Sequence, residues 1–277
     1  MKELLLANEV GIRLGFFIAI FTLMAGWECL APRRIAQFKR RLRWPSNLGI
    51  VAFNTLLLRF IMPTTAIALA LAAETAGWGL LQQFELSLWA STLLAVICLD
   101  FAIYCQHIMF HAVPILWRLH RMHHADVDFD VTTGARFHPL EIILSMLIKL
   151  AVIAALGPPA VAVLIFEVLL NTLAMFNHAN ARLPLRLDKR LRRVIVTPDM
   201  HRVHHSVIPR ETNSNFGFNL AIWDRCFGTY CPQPKAGHQA MSIGITAFRS
   251  ERDLRLDKML LQPFKKSADS YSINKTH

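Results

Sequence analysis

The sequence HRMHH at residues 120–124 and its near copy HRVHH at residues 201–205 share the pattern His-x-x-His-His. A third packet, the pair His107 and His111, precedes the first copy. Side chains three and four residues apart lie on one face of a helix, so each packet can present its imidazoles together. Imidazole is the commonest side-chain metal ligand and suits iron, zinc and copper. The packets therefore predict a centre for two metal ions, with these candidate ligands: His107, His111, His120, His123, His124, His201, His204 and His205.

The composition indicates a membrane protein. The chain has 277 residues, enough for one large domain or two small ones, and 54% of them are hydrophobic. Its mean hydropathy is +0.36, and the apolar residues occur in long runs. The net charge of +11 comes from short basic segments between and after those runs. A basic chain can bind nucleic acid, but apolar runs of membrane length favour the lipid bilayer as the partner.

The apolar runs predict an all-α, multi-pass bundle, since about 20 apolar residues span a bilayer as a helix. The predicted spans are residues 10–30, 48–73 and 86–110. A further run, 140–176, is broken by Gly157, Pro158 and Pro159, so it predicts a helical hairpin that dips into or just crosses the bilayer. We expect about four spanning helices in all, the last pair forming the hairpin.

The distribution of basic residues predicts the orientation. Lysine and arginine are concentrated in the loop at residues 33–43, whereas residues 74–85 contain neither. By the positive-inside rule the first loop is cytoplasmic and the second is outside. The predicted helices then bring every histidine packet to the cytoplasmic face. The other basic segments, residues 182–193 and 249–266, fall on the same face.

Four further residues are candidates for binding the metals or orienting their ligands. His178 follows the hairpin and is a candidate ninth ligand. His138 precedes a proline, so it fits a helix start as well as a ligand. Asp100 lies seven residues before His107 on roughly the same helical face and could orient a histidine. Glu167 lies inside an apolar run, where an ionisable group is a functional candidate, although a hydrogen bond between helices would also explain it.

The ligand count favours two non-haem iron ions that activate O2. Neutral imidazoles add no charge to offset two divalent cations, which favours the reduced, ferrous state. Eight or nine histidines exceed what one zinc ion requires, and a haem pair would place its histidines within the bilayer. Two other classes of function stay open, namely a membrane protein for metal transport or sensing, and a zinc-dependent membrane hydrolase.

The chain resembles the fatty acid hydroxylase and sterol desaturase superfamily of membrane-bound non-haem di-iron oxidases. That family carries HxxxH, HxxHH and a later HxxHH, which match residues 107–111, 120–124 and 201–205. The sequence around these motifs matches the family as well, in the segments WRLH at 117–120, DFDVTT at 128–133, RFHPLE at 136–141, NHAN at 177–180, NFGFN at 215–219 and FGTY at 227–230. Some members have a further HxxxH motif whose second histidine matches His178. In this chain residue 174, the position of the first histidine of that motif, is alanine. His138 or an asparagine is then an alternative for completing the ligand set.

The resemblance implies a cytosolic helical cap that holds both metals. It also implies O2-dependent hydroxylation or desaturation of a sterol, fatty acyl chain or related lipid. These residues include no fused haem domain of the kind that some members carry, so we expect a separate donor, namely a ferredoxin, small cytochrome or reductase. A basic face would steer an acidic donor.

The predicted organisation has three parts. Residues 1–95 form the N-terminal transmembrane helices, residues 96–232 form the catalytic domain, and residues 233–277 form a basic tail. The short loops lead us to expect a bacterial inner membrane, with the catalytic face cytoplasmic.

Overall fold

The computed structural model describes residues 2–62, 64–266, 271 and 273. Within them the chain is helical, with three isolated β-bridges and no strand, which confirms the predicted all-α class. The first eight helices are α1 (Lys2–Ala7), α2 (Glu9–Leu30), α3 (Arg40–Ile61), α4 (Ala66–Ala76), α5 (Leu88–Ala112), α6 (Pro114–His124), α7 (Pro139–Leu156) and α8 (Ala160–Asn177). The later helices are short: α9 (Leu185–Leu191), α10 (Pro198–His204), α11 (Pro209–Thr212), α12 (Ile222–Cys226), α13 (Gly237–Ala240) and α14 (Leu256–Leu261). Single 3₁₀ turns cover Leu80–Gln83, Thr133–Ala135, Glu251–Leu254 and Gln262–Phe264.

Five segments of the described chain are long and apolar enough to cross a membrane: Glu9–Leu30, Arg40–Gln83, Leu88–Ala112, Pro139–Leu156 and Ala160–Asn177. Helices α2, α5 and the α7–α8 hairpin match the predicted runs closely. The predicted span at residues 48–73 lies within the segment Arg40–Gln83, but it consists of two helices, because α3 ends at Ile61 and α4 begins at Ala66. Met62 is extended, with ψ of 124°, as expected for a residue that precedes a proline in the sequence.

The apolar helices turn much of their hydrophobic surface outward. Only Met24 and Glu28 of α2 are buried, while Phe16 and Leu23 are 50% and 59% exposed. Among the five membrane-length segments α8 is the most enclosed, and it packs against α2, α4 and α5. Apolar side chains on the outside of a helical bundle are typical of surfaces that face lipid, because contact with lipid tails carries no hydrophobic cost.

The hairpin turn is held by the loop that follows α4. Gly157 ends α7 with a φ of +58°, a left-handed conformation that suits glycine. A Cβ atom on residue 157 would overlap the carbonyl oxygen of Trp78, so no residue larger than glycine fits. The side chain of Gln82 donates to the Gly157 carbonyl at 2.7 Å. This contact closes the end of the bundle that lies opposite the histidines.

Buried ion pairs anchor the loop after α6 to α3. Arg43 donates to both carboxylate oxygens of Asp126, at 2.8 and 2.7 Å, and to Asp130 at 2.6 Å. Although burial raises it, the charges of Arg43 and Arg136 lower the pKa of Asp126 to about 2. Removing one partner of such a buried pair costs about 3–5 kcal/mol. Arg43, which also belongs to the basic loop at residues 33–43, therefore fixes the loop after α6 to α3.

The basic loop and the second histidine motif lie at the same end of the bundle. Arg33 donates from Nε to Asp199 at 3.0 Å, and Asp199 lies two residues before His201. Glu28, near the end of α2, accepts from the backbone N–H groups of Val131 and Asn180 at 2.7 and 2.8 Å. These contacts join α2, the α6–α7 loop and the chain that leaves α8.

The segment predicted as a basic tail packs on the cap over the residues that the structure describes. Ile243 and Ile245 are buried, and the N–H of Gly244 donates to the carbonyl of His205 at 2.9 Å. Met259 packs against Ile50 and Met122. Residues 267–270, 272 and 274–277 of the predicted tail lie outside the described residues.

Candidate metal centre

Nine buried histidines form two groups, each able to hold a metal ion. Within a group, the candidate ligand atoms all lie within 4.8 Å of one another. The five-histidine group consists of His107, His111, His120, His124 and His204. The four-histidine group consists of His123, His178, His201 and His205. The structure thus brings together all eight histidines of the three packets, and His178 with them.

The two HxxHH copies divide between the groups in opposite ways. In the first copy, His120 and His124 belong to the five-histidine group and His123 to the other. In the second copy, His201 and His205 belong to the four-histidine group and His204 to the other. On a helix, the side chain at position i+4 points in nearly the same direction as that at position i, whereas the side chain at position i+3 is turned further away, in the opposite sense. Each motif therefore serves both positions.

Prolines start both of the helices that carry these motifs. Pro114 and Pro198 occupy first-turn positions of α6 and α10, where the missing N–H is not needed. The hydroxyl of Thr197 also caps α10 by accepting from the N–H of Met200 at 3.4 Å. Both motifs fall in the last turns of their helices, so their imidazoles meet where α6 and α10 end.

Hydrogen bonds at Nδ1 orient four rings of the five-histidine group. His107 and His204 lie 2.8 and 2.7 Å from the carbonyl oxygens of Phe216 and Ser214. His111 Nδ1 lies 3.0 Å from the side-chain oxygen of Asn213, and His120 Nδ1 lies 2.6 Å from Glu141. An acceptor at Nδ1 fixes the tautomer and leaves Nε2 free to bind a metal.

The four-histidine group is held mainly by ring packing. His178 Nδ1 lies 2.8 Å from the Ala174 carbonyl, and its Nε2 lies 3.2 and 3.1 Å from Nε2 of His123 and His201. The ring of His123 stacks on Phe137 with centroids 4.5 Å apart. Phe129 packs 5.4 and 5.0 Å from the rings of His178 and His205.

Unpaired buried nitrogens test whether these residues suit a metal. Within the two groups, eight imidazole nitrogens have no hydrogen-bond partner among the described residues: His111 Nε2, His123 Nδ1, both nitrogens of His124, His201 Nδ1, His204 Nε2 and both nitrogens of His205. A buried polar atom without a partner costs about 1–3 kcal/mol. Several of them in one place are explained by bound cations, and imidazole donors suit iron, zinc and copper. The residues therefore fit a pair of such ions.

Burial keeps these imidazoles neutral, as a metal ligand must be. Burial lowers the pKa of His120 to about 3. Burial, together with repulsion from His178, lowers the pKa of His205 well below its ordinary value. The pKa of His204 is likewise held well below its ordinary value by burial and by its proximity to His107. At neutral pH these three imidazoles are therefore in the neutral form, so one ring nitrogen of each has a free lone pair that can bind a metal.

His138 lies in neither group. Its Nδ1 accepts from the N–H of Leu140 at 3.2 Å, so it caps α7. Its Nε2 lies 3.3 Å from the carbonyl of Leu260. The helix-start interpretation accounts for this residue, and the structure does not support the ligand interpretation.

Asp100 and Glu167 do not touch the histidines either. Asp100 accepts from the N–H groups of Asn219 and Leu220 and from Nε1 of Trp223, at 3.3, 3.2 and 2.8 Å. It therefore anchors the stretch that follows Phe216, and acts on His107 only through that stretch. Glu167 accepts from Lys149 at 2.6 Å and lies 3.3 Å from Arg13. Its role is to join α2, α7 and α8 by ion pairs.

The residues that accept from Nδ1 of the histidines are not among those predicted from the sequence. Glu141 lies in the first turn of α7, is buried and contacts His120. A glutamate in the first turn of an apolar helix is ordinary, so nothing local reveals this contact. The carbonyl acceptors of residues 214 and 216 leave no sequence signal at all, because every residue has a carbonyl group.

Comparisons with known proteins agree with this geometry. The family model of fatty acid hydroxylases matches residues 92–229, the stretch that supplies all nine histidines. An ornithine lipid hydroxylase of Rhizobium tropici is 29% identical over 66% of this chain and 53% of its own length. The alkylglycerol monooxygenases of Xenopus tropicalis and Homo sapiens are 34% and 31% identical, over 58% and 57% of this chain.

The chain spans about half the length of the first relative and 34% and 33% of the two monooxygenases. No solved structure matches the chain.

Proposed function

The chain belongs to the fatty acid hydroxylase and sterol desaturase superfamily, and from this premise we propose that it hydroxylates a membrane lipid with O2 at two histidine-bound iron ions. The observation that carries the proposal is the pair of buried histidine groups. Nine neutral imidazoles, with carboxylate contact only from Glu141 to His120 among the described contacts, form a donor set suited to ferrous iron. Bound iron would supply the activation of O2, which protein side chains cannot provide.

The chain's own residues then have three tasks. Glu141, Asn213 and two backbone carbonyls hold the rings of the five-histidine group in orientation. Phe129 and Phe137 cover the four-histidine group and exclude water from it. The outward-facing apolar helices keep the protein in the bilayer, where a lipid can reach the ends of α5 and α8 without passing through water.

Hydroxylation is proposed ahead of desaturation because of the relatives' names. They are named as hydroxylases and monooxygenases of ornithine lipids, alkylglycerols and fatty acids. Each of these substrates joins a hydrocarbon chain to a polar group, so we propose a substrate of that general kind. The carbon atom that is oxidised would belong to the hydrocarbon part of this lipid and would lie next to the buried histidines.

The orientation and the electron donor are part of the proposal. The positive-inside rule and the shared position of Arg33 and the histidines support a cytoplasmic catalytic face, and the short loops lead us to propose a bacterial inner membrane. A separate donor, namely a ferredoxin, small cytochrome or reductase, would supply the electrons.

The test is elemental analysis of the detergent-purified protein after anaerobic loading with iron, followed by incubation with lipids, O2 and a reductant. We expect two irons per chain and a lipid product that gains one oxygen atom from ¹⁸O2. A single tightly held zinc, with lipid cleavage that needs no O2, would replace the proposal with a hydrolase. Weakly held and freely exchanging metal, without any lipid product, would replace it with a transport or sensing function.

A further inference from the structure

The surface between residues 182 and 228, all of which the structure describes, exposes positive charge only. All four of its acidic residues are buried: Asp188, Asp199, Glu211 and Asp224. Each one is used inside the protein, as when Asp224 accepts from the N–H groups of Phe216 and Gly217 at 2.7 and 2.9 Å. Seven basic residues are exposed: Arg182, Arg186, Lys189, Arg190, Arg193, Arg210 and Arg225. Their charge has no acidic counterpart on this surface.

Six of the seven belong to two chain segments that lie side by side. The N–H of Ala221 donates to the carbonyl of Val194 at 2.9 Å, and Ile195 and Leu220 form a β-bridge. These contacts place α12 beside the segment that follows α9. We call the six exposed side chains the basic rim: Arg182, Arg186, Lys189, Arg190, Arg193 and Arg225.

Exposed apolar side chains lie among those of the basic rim. Leu185, Val194 and Phe227 are 73%, 61% and 56% exposed. Leu187 and Ile222 are also exposed. A water-facing surface that mixes large apolar side chains with arginine and lysine is typical of segments that lie in the interface of a membrane. A surface that only contacted an acidic protein would not need these apolar residues.

The basic rim follows directly from the membrane-length helices. The N–H of Arg182 donates to the carbonyl of Ala31 at 2.9 Å, one residue beyond the end of α2. On the other side, the ring of Phe227 lies 5.6 Å from that of Phe101 in α5, and Trp223 donates to Asp100. The segment therefore lies against the bundle at the level where its helices leave the apolar region.

The other basic segment of the cap differs in its charges. Between residues 249 and 266, Asp257 pairs with Arg255 at 3.1 Å and with Lys258 at 3.3 Å. Glu251 is exposed there as well. This segment carries both signs of charge, so it offers a comparison surface of similar basic content.

We infer that the exposed side chains of residues 182–194 and 222–227 form an interfacial surface that binds the anionic headgroups of bilayer lipids, with the basic rim on the headgroup phosphates and the apolar side chains in the acyl region. Basic residues next to a membrane each gain attraction to anionic lipid, and this attraction falls with salt. Binding would press residues 218–227 against α5, next to the carbonyls of Ser214 and Phe216 that hold two ligand rings. The inference concerns lipid binding and does not depend on the reaction.

The test uses the full chain reconstituted in phosphatidylcholine vesicles that contain spin-labelled phosphatidylglycerol or spin-labelled phosphatidylcholine. The motionally restricted fraction in the EPR spectrum measures which lipid occupies the protein surface. We expect a preference for phosphatidylglycerol, and we expect R186Q/K189Q/R190Q to lower it by about fivefold or more. The matched control, R252Q/R255Q/K258Q, removes the same charge from the mixed segment and should leave the preference nearly unchanged.

Equal binding of the two lipids by the unmodified chain would overturn the inference, as would equal losses in the two triple variants. A basic rim that ignored lipid but bound a small acidic ferredoxin in a salt-dependent way would be a protein-docking surface, and would also overturn it. If the triple variant does not fold, the single variants R186Q and R190Q replace it: each should lower the preference for phosphatidylglycerol and R252Q should not, and equal effects of all three would overturn the inference.

Discussion

The two histidine groups are built from the same residue type, but they are held in different ways. In the five-histidine group, four rings have a hydrogen-bond acceptor at Nδ1, and one of the acceptors is the carboxylate of Glu141. In the four-histidine group, only His178 has one among the described residues. The other three rings of that group rest on aromatic side chains and on one another. Hydrogen bonds set one position and packing sets the other.

This difference indicates unequal metal sites. An acceptor at the second ring nitrogen fixes the orientation of an imidazole and raises its basicity. Arg202 adds to the contrast, because its guanidinium lies 5.2 Å from the ring centre of Phe129, which covers the four-histidine group. A nearby positive charge disfavours a second cation. We therefore expect the five-histidine group to hold its metal more tightly.

The largest expected effect comes from removing one ligand of each group. In His204→Ala the five-histidine group should lose its metal, and in His201→Ala the four-histidine group should lose its own. Both variants should lose turnover, because the proposed reaction requires both metals. Elemental analysis and a lipid assay measure both results, and circular dichroism should show the helices retained.

The control for these variants is His138→Ala, because His138 caps α7 and lies in neither group. It should keep both metals and lose only about 0.5–2 kcal/mol of stability as a missing cap. Loss of both metals in His204→Ala or in His201→Ala would show that the groups do not bind independently.

A smaller effect is expected when the carboxyl group beside His120 is replaced by an amide. In Glu141→Gln the shape of the side chain is kept but the carboxyl group is lost, and contacts of this kind are worth about 10–100-fold in metal affinity or activity. The change should weaken the five-histidine group alone and narrow the difference between the sites. Competition with a chelator, followed by counting the metal retained, measures it. An equal loss at both groups would contradict the proposed asymmetry.

The smallest difference between the groups is expected in their response to acid, where both should behave alike. In the metal-free protein the folded pKa of His120 is about 3, whereas in the unfolded chain it returns to about 6.5. Below pH 6.5 the unfolded chain takes up protons that the folded protein does not, so stability should fall as the pH falls toward 3. Each buried histidine should contribute up to about 1.4 kcal/mol per pH unit.

Denaturant unfolding of metal-free protein in detergent, repeated across this pH range, measures that slope. His120→Asn and His205→Asn should each reduce it by the contribution of one proton. A slope that is unchanged by either substitution would mean that the removed imidazole is already protonated in the folded protein.

Much of the architecture could be predicted from local sequence. The runs that became α2, α5 and the α7–α8 hairpin have membrane length and clear ends, and residues 157–159 mark the hairpin turn. The break within residues 48–73 could not be predicted from hydropathy, because hydrophobic residues continue through the run although α3 ends at Ile61 and α4 begins at Ala66. A proline inside an apolar run changes chain direction without changing hydrophobicity.

The candidate site was predictable as a set of residue types and spacings. The three packets and His178 all reach the centre, because helical spacing alone gathers the members of each packet. The role of His138 as a cap and of Glu167 as an ion-pair partner depended on which helices pack together. Arg13 and Lys149 come from helices far apart in the chain, so no window of sequence around Glu167 reveals its partners.

By itself, the sequence determined that this chain forms apolar helices and carries three histidine packets, because hydropathy and helical period are properties of neighbouring residues. Tertiary structure decided how nine histidines divide into two groups, with each HxxHH motif serving both. It also decided that Glu141 and the carbonyls of residues 214 and 216 orient the rings. Those outcomes depend on contacts between elements up to 109 residues apart, as between His107 and Phe216, and such contacts exist only once the helices are packed.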